Sequence, residues 1–287
     1  MVDNHATLLK RAATASLVTA ITLLLAKVFA WSISDSTSVL SSLLDSSMDI
    51  VASGINFFAI RYALMPADDD HPFGHTKAEG IAALLQSAFI LGSTALLLLQ
   101  VVERFLNPRP IHGIDESIGI MMFSVVATVV LVLYQRYVWR KTKSLAIRAD
   151  AAHYYGDILA GIAVIFALAT AKLEWYWMDP LVALLIAAVL LQSVYGIVRE
   201  ALTMLMDQAM NPEDEKHIHD LVMSCDDVRG VHDILTRQSG RVEFIQLHLE
   251  LDGQQSLYSA HAITLKVEQT IKQAFPYAQL IIHQDPI

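Results

Sequence analysis

Two pairs of ionisable residues sit at four-residue spacing inside hydrophobic stretches: Asp45 with Asp49, and His153 with Asp157. A separation of i, i+4 stacks both members of a pair on one face of a helix, about one turn apart. Ionisable side chains are expensive in hydrocarbon and are rare there without a role. Two such faces turned toward each other would present three carboxylates and one imidazole, a four-ligand cage for a divalent metal ion. Metal ligands must be deprotonated to bind, whereas burial in lipid favours the neutral acid. A cage of this kind should therefore exchange metal for protons, so proton-coupled antiport follows from its chemistry.

The elements that must hold these groups are apolar. The chain has 287 residues, 54% hydrophobic and 17% charged, with mean hydropathy +0.45, against about 25% charged in ordinary soluble domains. About 20 apolar residues cross a bilayer as a helix, and the sequence predicts six spans near 12–31, 36–64, 80–106, 115–139, 146–171 and 178–204. The expected fold is an α-helical polytopic membrane protein with a C-terminal cytoplasmic α+β domain, divided into residues 1–205 and 206–287. Trp31, Tyr134, Tyr137, Trp139, Trp175, Tyr176 and Trp177 fall near span ends, where interfacial aromatic belts lie. Lys10, Arg11, Arg61, Lys77, Arg136, Arg140, Lys141, Lys143, Arg148 and Arg199 gather on one side. Only Arg104, Arg109 and Lys172 oppose them, which puts both termini in the cytoplasm. Ser42, Ser46, Ser53 and Asn56 extend a polar stripe along the second span, as a hydrated path would need.

From Met206 onward the chain carries 13 acidic and 6 basic residues, a balance that argues against nucleic acid as partner. The single Cys225 excludes an intramolecular disulfide and a thiolate cluster, so any metal must be held by N and O atoms. In this tail, Pro212 to about Cys225 and residues 256–275 read as helices. Val231–Arg237, Val242–Leu251 and Gln279–His283 read as strands. The second strand sets Phe244, Gln246, His248 and Glu250 on one face against Ile245, Leu247, Leu249 and Leu251 on the core face. His232, His248, His261, His283 and Asp285 are either surface groups or, if the fold gathers them, a zinc-type site. The segment Asp68-Asp-Asp-His71-Pro-Phe-Gly-His75 is open in the same way, between solvated charge and an exposed metal site.

With six spans, Asp45-x3-Asp49, His153-x3-Asp157 and a His-rich tail, the chain resembles the cation diffusion facilitator family. Arg61-Tyr62…Pro66-Ala-Asp-Asp, Phe73-Gly-His-x-Lys-Ala-Glu79, Thr236-Arg-Gln-Ser-Gly240 and Ile282-His-Gln-Asp-Pro286 are similar to its bacterial ferrous-iron/zinc efflux branch. The resemblance implies a homodimer in the bacterial inner membrane, a secondary transporter and not an enzyme. It would export Zn2+, with Fe2+ and Cd2+ as further ions, against protons by alternating access. It also implies a transport site of Asp45, Asp49, His153 and Asp157, and a loop site of Asp68, His71 and His75. A metallochaperone-like tail would hold a binuclear zinc site of His232, His248, His261, His283 and Asp285. Lys77 and Asp207 would form a charge pair between subunits. A membrane-anchored metal sensor without transport is the alternative, but it leaves the four membrane ligands without a purpose. An intramembrane metallohydrolase lacks the His-Glu-x-x-His motif it would need.

Overall fold

The computed structural model describes residues 2–34, 37–106, 118–171, 178–240 and 242–287. The expectations placed on Arg109, Lys172, Trp175, Tyr176 and Trp177, and on the side chains of Ser42 and Arg104, lie outside the described residues. Six long helices come first: α1 (Val2–Ser34), α2 (Thr37–Ala63), α3 (Ala78–Leu106), α4 (Ile118–Thr142), α5 (Leu145–Ala171) and α6 (Met178–Leu205). The shortest has 25 residues, roughly 37 Å at 1.5 Å per residue, against a hydrocarbon core of about 30 Å. Four contain windows long and apolar enough to cross a membrane: Asn4–Phe29, Ala78–Glu103, Met122–Thr142 and Pro180–Leu205. The two helices outside that set, α2 and α5, are those that carry Asp45, Asp49, His153 and Asp157.

The first helix begins ten residues before the predicted span. The reason is packing: Leu9, Ala12 and Ala13 are buried against Ile60, Ala82, Val138, Ala146 and Ile147. The polar N-terminal turns of α1 thus continue a helix whose inner face is already committed to the core. Between α4 and α5 the chain turns at Lys143, whose φ of 57° lies in the left-handed region. Ser144 then caps α5, its Oγ accepting from the Ile147 amide at 3.4 Å and donating to the buried Glu79 of α3. Glu79 also faces the amides of Leu145 and Ala146. A carboxylate on the first free amides of a helix complements its dipole, so α3 fixes the start of the helix that carries His153. Further along α5, a Cβ on Gly156 would stand 3.2 Å from the end of the Leu190 side chain of α6.

Residues Met1–Ala201 and Leu202–Ile287 form separate compact units. The second holds α7 (Pro212–Met223), β1 (Gly230–Ser239), β2 (Val242–Leu251), α8 (Leu257–Ala274) and β3 (Gln279–Pro286). The sheet order is β1-β2-β3, with β1 and β2 antiparallel and β2 and β3 parallel. Ile245, Leu247, Leu249 and Leu251 turn inward, as their alternation predicts, onto Ile218 and Val222 of α7 and Ala260, Ile263, Val267 and Ile271 of α8. Both helices therefore cover one face of the sheet. The other face is left to Phe244, Gln246, His248 and Glu250. Ser256 caps α8 by accepting from the Ser259 amide.

Candidate metal sites

Helices α2 and α5 bring Asp49, His153 and Asp157 together, one ligand atom of each within 4.8 Å of the others. His153 is 9% exposed, and its Nε2 lies 3.0 Å from Asp49 Oδ1. A tetrahedral zinc site sets its N and O donors about 2.0–2.2 Å from the ion, hence about 3.3–3.6 Å apart. The His153–Asp49 pair is closer than that, at hydrogen-bond distance, and Asp157 completes a group of metal-ligand types within 4.8 Å. Asp45 lies one turn away on α2, on the exposed side and outside the close group, where it meets the charge of Lys27 from α1.

The polar stripe on α2 is not a hydrated path. Ser46, Ser53 and Asn56 are buried. Ser46 accepts from Lys27 Nζ at 2.5 Å, while Ser53 bonds to Ser16 at 3.1 Å and to Tyr154 at 2.7 Å. The stripe is a hydrogen-bonded seam that joins α2 to α1 and α5. Lys27 stands inside an apolar run, and that position was its signal. Asp150, fully buried on α5, was also missed, although at i−3 from His153 it shares a helical face with it.

In the connection between α2 and α3, Asp68, His71 and His75 converge. The His71 amide and ring Nδ1 approach Asp68 Oδ1 at 2.7 and 3.2 Å. His75 is buried, packed edge-on against Tyr62, with Nδ1 3.1 Å from the Pro66 carbonyl. Its Nε2 faces Asp68 Oδ2 at 3.3 Å. Nε2 has no hydrogen bond of its own. One carboxylate and two imidazoles converging in this way are a donor set that fits a divalent metal. The amide of His71, followed by its ring and the charge of His75, holds the Asp68 carboxyl below its ordinary range.

In the tail, register does the gathering. His232 pairs with His248 across β1 and β2, and His248 pairs with His283 across β2 and β3. Three imidazoles thus form a row across the open face, with ring centroids 5.2 and 4.7 Å apart. Asp285 Oδ2 meets His248 Nδ1 at 2.8 Å and His232 Nε2 at 3.3 Å, and Oδ1 meets His283 Nε2 at 3.3 Å. The hydrogen bond from His248, with the nearby histidine charges, keeps Asp285 below the ordinary carboxylate range. Glu250, two residues from His248 on the same strand face, adds a contact to His232 Nδ1 at 3.0 Å. Its alternation marked it, but its type did not. His232, His248 and Asp285 offer ligand atoms within 4.8 Å, whereas His261 sits exposed on α8 outside that group. Asp207, with a left-handed φ of 54°, accepts from Arg237 at 2.8 Å within the tail. Lys77 precedes α3, its carbonyl accepting from the Gly80 amide.

Family comparisons cover both units. Residues 13–206 match the cation efflux transmembrane domain, and residues 210–287 match the cytoplasmic domain of cation efflux proteins. The cation-efflux pump FieF of Salmonella arizonae is 42% identical over 286 residues, all of this chain and 95% of that protein. The pump of the same name from Citrobacter koseri is 43% identical with the same coverage. A solved structure of the zinc transporter CzrB in its zinc form is 30% identical, covering 28% of this chain and 92% of that one, with a TM-score of 0.27.

Proposed function

The chain belongs to the cation efflux family of metal transporters, and on that premise we propose that it exports a divalent cation in exchange for protons. The ion is Zn2+ ahead of Fe2+ and Cd2+, since one imidazole and two or three carboxylates suit a four-coordinate zinc site best. The observation that carries this reading is the contact between His153 Nε2 and Asp49 Oδ1. These two atoms lie at hydrogen-bond distance and are both of metal-ligand type, so they can share a proton or hold a metal but not both. Asp157 completes the group, and a shift of about one turn in α2 against α5 brings in Asp45 as the fourth ligand.

The six long helices all span the bilayer in this reading, residues 1–205 form the transport domain, and both termini face the cytoplasm. The α2–α3 connection and the tail then lie on the side from which metal is taken. Asp68, His71 and His75 form a loop site there, and His232, His248, His261, His283 and Asp285 hold two zinc ions in the tail. The open sheet face also exposes Leu235 and Ile281, apolar surface that a second copy of the chain would cover. The working unit is therefore a homodimer, with Lys77 of one protomer facing Asp207 of its partner. A bound zinc would tie the three strands together, and the chain's own residues would then set how firmly the tails associate.

The test is flux into proteoliposomes under an imposed pH gradient, with Zn2+, Fe2+, Cd2+ and Mn2+ compared. Gradient-driven flux ranked with Zn2+ first is the expected result. Metal flux indifferent to the gradient would refute antiport, and a different ranking would replace the ion.

A further inference from the structure

Among the described residues, Asp150 is the one buried carboxyl in the α1–α5 core that neither the metal group nor a helix cap uses. It is 0% exposed. Gln135 of α4 donates to its Oδ2 at 2.6 Å through Nε2, and Ser16 of α1 and Asn56 of α2 also face it. The titratable groups acting on it are His153 and Tyr154 of its own helix. The other neighbouring helices present only uncharged partners, while α3 spends its carboxylate Glu79 on Ser144. An isolated carboxylate in such a place carries a severe desolvation cost.

Three buried atoms here lack partners: Asp150 Oδ1, Gln135 Oε1 and Asn56 Nδ2. Two are acceptors on a pair of groups already joined by one hydrogen bond. Adding a single proton to Asp150 Oδ1 supplies a donor for Gln135 Oε1 and closes the two-bond ring of an acid with a primary amide. Removing that proton leaves Ser16, Asn56 and Gln135 as three donors for the carboxylate. The pocket can therefore serve both protonation states, which a purely structural acid would not require.

We propose that Asp150 is a proton-carrying site of the exchange cycle, separate from the metal ligands and clasped by Gln135. The inference rests on the antiport reading above. With no cation at His153 the carboxylic acid form is held by the amide. When a divalent ion arrives one helical turn away, its charge favours the carboxylate. The O–H bond then breaks, the proton leaves to water and the hydrogen bonds pass to Ser16 and Asn56. The buried hydroxyl chain Ser16–Ser53–Tyr154 borders the pocket and can re-orient its hydrogen bonds as Asp150 changes state.

The experiment measures metal and proton flux together in proteoliposomes, using Zn2+ on wild type and Asp150→Asn, whose amide mimics the protonated acid without titrating. The expected outcome is sustained zinc transport with one proton fewer moved per ion. It should be matched by one proton fewer released when Zn2+ binds the purified full-length variant. A wild type that couples flux to protons and a variant with the same ratio would overturn this proposal alone. A wild type with no proton movement would overturn the antiport reading instead. Should Asp150→Asn fail to fold, Gln135→Leu with isotope-labelled aspartate replaces it. The protonated-carboxyl infrared band should then shift relative to wild type and fall on Zn2+ addition in both. A band that neither shifts nor responds to Zn2+ would sink the proposal.

Discussion

The membrane group and the tail group draw on the same side-chain types but are assembled differently. In the membrane, each helix contributes groups one turn apart, and the cluster depends on how α2 lies against α5. In the tail, the ligands sit at register partners of hydrogen-bonded strands, so the row His232–His248–His283 is fixed by backbone pairing. Helices can slide or rotate by fractions of a turn while keeping their internal bonds, whereas a sheet register cannot slip without turning every side chain to the wrong face. The first kind of support suits a site that opens and closes. The second suits a site that stays assembled.

The sharpest way to break this comparison is Asp49→Ala. Zinc transport should fall at least about 100-fold, because a ligand is lost where even outer partners of a metal are worth about 10–100-fold. Retention of the dimer and of the melting profile should accompany it, since Asp49 packs no core. Flux within a few fold of wild type would show that the membrane group is not the transport site.

Next in size is His248→Ala, which removes the centre of the imidazole row. Calorimetry on the full chain carrying Asp49→Ala, to silence the membrane group, should show tail zinc affinity weakened by about 10–100-fold. Unchanged affinity would mean that the row is surface chemistry only. His261→Ala should leave the first tail ion in place and lower the zinc count by one. A count that does not change would reduce the tail to the group that the sheet itself gathers.

The smallest effect concerns pH. Asp68 and Asp285 both titrate below the ordinary carboxylate range when folded. Their contribution to stability is therefore complete above the unfolded value, near about pH 4, and is lost as pH falls through the lowered folded value. Melting of the full chain between about pH 6 and pH 3 should show this loss, and Asp285→Asn should flatten the slope slightly, both carboxyls being solvent-exposed. A variant steeper than wild type would reverse the sign of the argument.

How much of this was legible in the sequence follows from the same contrast. Helical spacing announced Asp49, His153 and Asp157, because i, i+4 maps directly onto a shared face. The tail elements were also readable from their periods, and Ile245, Leu247, Leu249 and Leu251 turn inward as alternation requires. Strand pairing was not readable, since nothing in the composition says that His232 will oppose His248 and His248 oppose His283. Glu250 joined the row for that reason and went unnoticed. The stripe Ser46–Ser53–Asn56 was seen but misread as wet, because one helix cannot reveal that Ser16, Lys27 and Tyr154 will meet it from two others.

The mixed sheet also sets an order of folding. β1 and β2 are joined by a tight hairpin at Gly240, and hairpins close within about 1–10 μs. β3 joins β2 in parallel only after the α8 crossover, a non-local pairing that forms more slowly. His232 and His248 therefore meet early, while Asp285 and His283 arrive with the last strand to dock. The row is thus half assembled by local contacts, and its other half waits on the longest-range pairing in the sheet.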